Sequence, residues 1–208
     1  MIAHASFWDG IAAKYAKQPV RNPTAYAETL SATIALLTPR DRVQELGCGT
    51  GTTALHLAAH VKTLTASDIS PEMIAIAEGK RQAAGTGNLC FVADGITPPA
   101  PDAVPFDAVL AFNLLHLIAD LDAALAAIHA RVKPGGLFIS KSGCVAEMNW
   151  LFRPVIRVMQ AVGRAPYIKI LSKQDLEAAI TRAGFELEQS RTFTGAPESL
   201  FVVARRPG

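Results

Sequence analysis

Cysteines are few in this chain, and its histidines form no metal-binding pattern. It has three cysteines in 208 residues, and no two of them form a C-x-x-C pair. An odd number without that spacing argues against a disulfide framework and a structural zinc site, and favours a reducing compartment. The five histidines also lack metal-ligand spacing, so we expect no metal-dependent chemistry.

Long apolar runs and strong charge are missing as well. The longest apolar stretch, residues 108–119, is interrupted by Asn113 and His116 and is too short to span a bilayer. Residues 1–6 lack the basic region and apolar run of a signal peptide, so a cytoplasmic location is expected. The net charge is only +2, which disfavours a nucleic-acid partner.

The apolar content is nevertheless sufficient for one well-packed domain. Half of the 208 residues are hydrophobic and no linker or repeat divides them, so we expect a single domain over residues 1–208. Strand and helix patterns alternate, which predicts an α/β fold, a doubly wound and mostly parallel sheet with helices on both faces. The predicted strands are 42–46, 63–67, 89–93, 106–111, 136–141, 185–192 and 199–205. The predicted helices are 6–17, 24–37, 52–59, 71–84, 121–132, 147–162 and 173–183.

The most informative segment is residues 43–51, V-Q-E-L-G-C-G-T-G, where a short apolar strand runs into three alternate glycines. Glycine permits positive φ and lets a ligand touch backbone, and the free N–H groups of the following helix face the same crevice. A dinucleotide-binding turn would have a small residue in place of Thr52, and Glu45 would repel a pyrophosphate. The turn therefore favours a ligand with positive charge and no phosphate.

Further landmarks follow at the ends of the later strands. Asp68 lies 21 residues beyond Gly47, where a carboxylate can accept ribose hydroxyls. Asp94 follows the third strand, residues 113–116 (N-L-L-H) follow the fourth, and residues 133–136 (K-P-G-G) precede the fifth. Together with E-x-G-x-G-x-G, this series over residues 40–142 resembles the class I S-adenosylmethionine-dependent methyltransferases, and in particular the ubiquinone and menaquinone methyltransferase-like group.

The resemblance implies a seven-stranded sheet in the order 3-2-1-4-5-7-6 with the last strand antiparallel. It also implies S-adenosylmethionine as the cofactor, with S-adenosylhomocysteine as the product. His116 is then the candidate general base, and Asn113 is placed to touch the cofactor or the acceptor. The cofactor-binding residues expected on this basis are Glu45, Gly47, Cys48, Gly49, Gly51, Asp68, Ile69, Met73, Asp94, Gly95, Asn113 and Tyr15.

Several landmarks have structural alternatives. The glycines can serve only to tighten a turn, Asp94 can be a turn aspartate, and His116 can be a core histidine bonded to backbone. Asp107 and Asp120 are interpreted as structural, the latter as a helix cap. The K-P-G-G segment is interpreted as a stop between a helix and a strand. Because Ser70, Pro71 and Glu72 already supply helix-start signals, Asp68 is expected to be free for a ligand.

Two regions outside the cofactor core are expected to hold the substrate. The first is an N-terminal helical cap, residues 1–37, in which Trp8 and Tyr15 share one helix face. The second is a helical lid, residues 143–172, whose basic amphipathic helix suits an apolar or anionic acceptor or transient contact with a membrane surface. Both regions can equally be ordinary helices packed on the core. Lys141 and Glu147 are lesser candidates for the base.

Three function classes follow from these patterns. The favoured one is methyl transfer to a small-molecule acceptor, apolar or quinone-like. The alternatives are a nucleic-acid or protein methyltransferase, and a cofactor-binding protein without transfer activity or a nicotinamide oxidoreductase. Thr52 and Glu45 argue against the oxidoreductase. The acceptor atom and the oligomeric state stay open at this stage.

Overall fold

The protein folds around one seven-stranded sheet. The structure, a computed structural model, describes residues 2–147 and 166–208. The strands are β1 Arg42–Leu46, β2 Thr63–Asp68, β3 Leu89–Ala93, β4 Phe106–Phe112, β5 Val132–Gly143, β6 Glu186–Phe193 and β7 Ala196–Arg205. Their order is β3-β2-β1-β4-β5-β7-β6, and β7 is antiparallel to both of its neighbours. The predicted α/β fold, its strand order and its reversed last strand are confirmed.

The helices begin where local capping signals place them. Those described are α1 Ile2–Ala16, α2 Pro23–Ile34, α3 Thr52–Ala58, α4 Pro71–Ala84, α5 Leu121–Arg131 and α6 Lys173–Arg182. Ser70 and Asp120 accept the backbone N–H groups of Met73 and Ala123, at 3.1 and 3.0 Å. Ser172 and Asp175 form the expected capping box. The structural role predicted for Asp120 is therefore confirmed.

The start of β5 differs from the prediction. Residues 133–136 were expected to separate helix from strand, but β5 already begins at Val132 and includes them. Arg206 explains the difference, because its carbonyl accepts the Gly135 N–H at 2.8 Å and its N–H donates to Gly136 at 3.0 Å. The pairing with β4 shifts register between Phe106 and Ala108, so the K-P-G-G residues form an irregular strand start.

Three other boundaries move by three residues or more. Helix α1 begins at Ile2 rather than residue 6, and α2 ends at Ile34 rather than residue 37. Strand β7 begins at Ala196 rather than residue 199, because Ala196 pairs with Phe193 across a tighter hairpin. The predicted lid helix 147–162, with its basic face and the membrane-contact expectation, falls almost wholly on residues 148–165, outside the described residues.

The sheet has an apolar cluster on each face. One cluster packs α5 on the sheet through Leu125 and Ile128, and α6 through Ile180. The other packs α3 on the opposite face through Leu57 and its neighbours. Both faces being covered, the carboxyl ends of the parallel strands form the rim at which ligands bind in this class of sheet. None of the described helices is long and apolar enough to cross a membrane.

Candidate active site

The glycine turn at the end of β1 has one open position. Gly47, Gly49 and Gly51 all have positive φ, at 67°, 53° and 75°. A Cβ on Gly47 would lie 2.7 Å from a Leu114 methyl group, and one on Gly51 would lie 2.4 Å from the Phe91 ring. A Cβ on Gly49 would meet only the Tyr15 ring, at 3.8 Å. Gly49 therefore borders the space available to a ligand, whereas the other two glycines make room for packing.

Asp68 is less free than the sequence suggested. Its carboxylate accepts the Gly49 N–H at 2.9 Å and the Ser70 N–H at 3.0 Å. As predicted, Ser70 and not Asp68 caps α4 with its side chain, and the Ser70 N–H in addition donates to Asp68. Each carboxylate oxygen keeps a further lone pair. Asp68 thus fixes the glycine turn and can still accept hydroxyl groups.

Glu45 brings a second carboxylate to this crevice. Glu45 is only 2% exposed, and its Oε2 atom is buried without a hydrogen-bond partner. Burial, reinforced by the charge of Asp68, raises the pKa of Glu45 to about 8. No described Lys or Arg forms an ion pair with either acid. A cationic ligand would relieve the cost of this arrangement.

The other predicted cofactor residues divide into two groups. Ile69 is exposed and lies beside Gly95, whose Cβ position is 3.5 Å from an Ile69 methyl carbon. Asp94 is exposed, and its carboxylate accepts the N–H of the next residue, Gly95, at 2.8 Å. Cys48 and Met73 are buried, and burial raises the pKa of the Cys48 thiol. These two residues shape the turn and the core.

Helix α1 covers the glycine turn. Tyr15 stands over Gly49, and the Trp8 and Tyr15 rings form an edge-to-face pair 6.3 Å apart, as their shared helix face predicts. Asp9 anchors the helix by accepting the Ser70 hydroxyl at 2.5 Å and the Glu72 N–H at 3.3 Å. Sequence reasoning missed Asp9. The available signal was its place as the single acid of α1.

Lys80 is a second residue that sequence reasoning missed. From α4 its ammonium donates to the Thr50 carbonyl, the Thr50 hydroxyl and the Thr52 hydroxyl, each at 3.0 Å. These contacts tie the glycine turn to α4. No local sequence pattern predicts this role, because Lys80 is 28 to 30 residues away from Thr52 and Thr50 in the sequence.

The rim beyond β4 has a different character. Asn113 is the only non-glycine residue with positive φ, 54°, among those described, and its N–H donates to the Lys141 carbonyl at 2.6 Å. His116 follows in a short 3₁₀ turn. Its Nδ1 is buried without a hydrogen-bond partner, so the alternative of a core histidine bonded to backbone through its ring is not what the structure shows. Burial lowers the pKa of His116 to about 4.

Two lysines near this rim already make hydrogen bonds within the protein. The Lys141 ammonium donates to the Thr29 hydroxyl at 3.1 Å and lies 5.6 Å from the Phe193 ring centre, so it points toward α2 and not toward His116. The Lys169 N–H donates to the His116 carbonyl at 2.7 Å, and the Lys169 ammonium donates to the Ala119 carbonyl at 2.9 Å. No cluster of potential metal ligands occurs among the residues described.

Comparisons with known proteins agree with this arrangement. A family model described as a methyltransferase domain matches residues 44–138. An uncharacterized methyltransferase of Synechocystis is 26% identical over 173 residues, covering 82% of this chain and 77% of that protein. A ubiquinone biosynthesis O-methyltransferase of Brucella anthropi is 28% identical over 160 residues, covering 70% of this chain and 60% of that protein. The solved structure of a DhpI–SAH complex superposes with a TM-score of 0.77 at 23% identity, covering 99% and 96% of the two chains.

The sheet order, the glycine turn and these comparisons define one class of enzyme, the class I S-adenosylmethionine-dependent methyltransferases. The chain matches that class in its sheet order and, over residues 44–138, in its methyltransferase domain. Its matched segment runs from Gln44 in β1 to Phe138 in β5 and so contains both the glycine turn and the two carboxylates. The chain spans three fifths of the length of the Brucella relative.

Proposed function

We propose that this methyltransferase acts on a small, apolar, ring-bearing acceptor of the quinone-precursor type. The observation that carries the cofactor half of this proposal is a pair of acids at the glycine turn, Asp68, which accepts the Gly49 N–H, and the buried Glu45, whose pKa the charge of Asp68 helps to raise. The acceptor half is supported by the surroundings of His116. Apolar residues precede and follow His116 in the sequence, and its neighbour Leu115 is fully buried.

The turn fits an adenosyl ligand that carries a positively charged amino acid. Gly49 offers backbone without a Cβ, and Asp68 retains lone pairs for two ribose hydroxyls. Glu45 would face the ammonium end, where a cation offsets its burial. Ile69 and Gly95 would flank the base, and Tyr15 would cover the ligand from α1. S-adenosylmethionine supplies an activated methyl group, so the protein contributes mainly position and proton removal.

His116 is suited to an acceptor that surrenders its proton during transfer. Its lowered pKa, about 4, keeps the imidazole neutral and able to accept a hydroxyl proton at neutral pH. A base this weak provides modest assistance, which suits an acidic phenol or hydroquinone better than an aliphatic alcohol. Asn113, held in a strained conformation at the same rim, would orient the acceptor.

The name of the Brucella relative points in the same direction, because that protein is described as an O-methyltransferase of ubiquinone biosynthesis. The decisive experiment supplies methyl-labelled S-adenosylmethionine with catechols and hydroquinones in one set of reactions, and with RNA or protein in another. We expect label in the ring compounds alone. Label in RNA or protein would overturn the choice of acceptor. Calorimetry should show binding of S-adenosylhomocysteine and none of NAD.

A further inference from the structure

The connection between β3 and β4 differs from the other parallel crossovers. Helices α3, α4 and α5 connect β1 to β2, β2 to β3, and β4 to β5. Residues 94–105 contain no helix, and four of them are prolines. Without a helix on this part of the sheet, a cleft of about 390 Å³ remains between the loop and the end of α5. Its volume falls within the range of small-molecule sites.

Two arginines line the cleft. Arg131, the last residue of α5, donates to the Gln44 side chain at 3.1 Å and to the Thr97 carbonyl at 2.8 Å. Its Nε–H is buried without an acceptor. The Arg42 guanidinium lies over the Phe106 ring at 5.5 Å, and the one hydrogen bond of that guanidinium among the described residues, to the Pro105 carbonyl, is long at 3.5 Å. Several guanidinium N–H groups therefore remain available to an anion.

The charge of the cleft limits the kind of anion. Asp94 is the one acid among the lining residues, so two arginines and one aspartate give a net charge of +1. That balance suits a monoanion better than a phosphate ester. The remaining walls are apolar, made by Pro98, Pro99, Ala100, Ala103, Val104 and Pro105. A neutral apolar molecule would cover the arginine N–H groups without pairing them, which is costly.

We propose that this cleft is a second binding site, for a small monocarboxylate with a flat apolar body. A planar carboxylate matches the paired N–H groups of a guanidinium, and the proline wall accepts a ring. The site is separate from the glycine turn, because Arg42 lies at the opposite end of β1. Asp94 connects the two, since it lines the cleft and directly follows β3.

Fluorine NMR with 4-fluorobenzoate tests the site directly. We expect the protein to broaden the probe signal in a salt-sensitive way, and to leave neutral 4-fluorobenzyl alcohol unaffected. Saturating S-adenosylhomocysteine should not displace the benzoate. Displacement would place the probe at the methyl-transfer site and overturn the proposal, as would equal broadening of the alcohol.

Substitutions at an exposed residue of the cleft change its charge without unfolding the protein. Val104 is 63% exposed, so Val104→Asp can add a negative charge without disturbing the core, and Val104→Asn is its neutral match. We expect the aspartate variant to weaken benzoate binding at least about fivefold and the asparagine variant less than about twofold. Arg131→Gln should weaken it at least about tenfold. Unchanged affinity in both Val104→Asp and Arg131→Gln would overturn the proposal.

Discussion

The two halves of the active-site rim are built differently. At the ends of β1 and β2, the Asp68 carboxylate accepts two backbone N–H groups. Lys80 ties the glycine turn to α4 through a hydrogen bond to the Thr50 carbonyl. At the ends of β4 and β5, His116 Nδ1 and the hydroxyls of Ser140 and Ser142 are buried without partners. The cofactor half is thus largely organised for binding, with Glu45 Oε2 as its one buried unpaired side-chain atom among the described residues, whereas the acceptor half has three such atoms.

This difference matches the chemistry that each half performs. A cofactor common to a whole class is best bound by a rigid turn whose geometry is set in advance. An acceptor that varies between enzymes is bound by side chains on loops, and these can change without disturbing the sheet. The comparison can be tested by changing one half and measuring both cofactor affinity and turnover.

The largest effect is expected from Asp68→Ala. It removes the acceptor for the Gly49 and Ser70 N–H groups as well as for ligand hydroxyls. Two charged hydrogen bonds at roughly 1.5–3 kcal/mol each correspond to a loss in S-adenosylhomocysteine affinity of at least about 100-fold by calorimetry. Asp94→Ala is the matched control, expected to cost less than about tenfold. An equal loss in the two variants would contradict a cofactor half centred on Asp68.

His116→Gln should separate the two halves. It removes a titratable imidazole while keeping a polar side chain of similar reach, so kcat should fall about 100-fold, at the low end for a general base. Cofactor affinity should stay within about twofold of the unchanged protein. A circular dichroism spectrum and melting curve check the fold. Full turnover in the variant would mean that His116 fills space only.

The glycines of the turn should respond in opposite ways. Gly49→Ala adds a Cβ beside open space, so the protein should fold with a penalty of about 1 kcal/mol for its positive φ and lose cofactor affinity about tenfold. Gly51→Ala places a Cβ 2.4 Å from Phe91 and 2.8 Å from Ala77, and its main effect should be a lower melting temperature. Thermal melts measure the stability of both variants, and calorimetry measures their cofactor affinity. Identical profiles would remove the distinction between ligand-facing and packing glycines.

The last effect concerns the ligand-free protein and is a pH dependence of its stability, with no change in cofactor binding or turnover required. Folding raises the pKa of Glu45 from 4.5 to about 8, so the folded state holds a proton over a range where the unfolded state has lost it. The free energy of unfolding should therefore decrease as pH rises between these values, by up to about 1.4 kcal/mol per pH unit. Glu45→Gln should flatten this slope in denaturant titrations from pH 5 to 8. A slope unchanged by the substitution would assign the pH dependence to other groups.

Local sequence determined much of the fold and of the cofactor half. Residues 42–46 and 89–93 form strands with the predicted bounds, because short apolar runs between turn signals leave few alternatives. The helix starts at Ser70 and Ser172 follow from capping chemistry that is complete within three residues. The glycine turn could be predicted from the sequence because positive φ and close backbone approach restrict a position to one residue type.

Only the tertiary structure decided the roles that depend on distant partners. Asp9 meets Ser70 across 61 residues, Lys141 turns toward Thr29, and Gly51 is required by Phe91. The start of β5 at Val132 depends on Arg206 near the other end of the chain. Hydrogen bonds, burial and the pKa values they set arise from neighbours in space, so a local pattern can name the chemistry of a residue but not its partner.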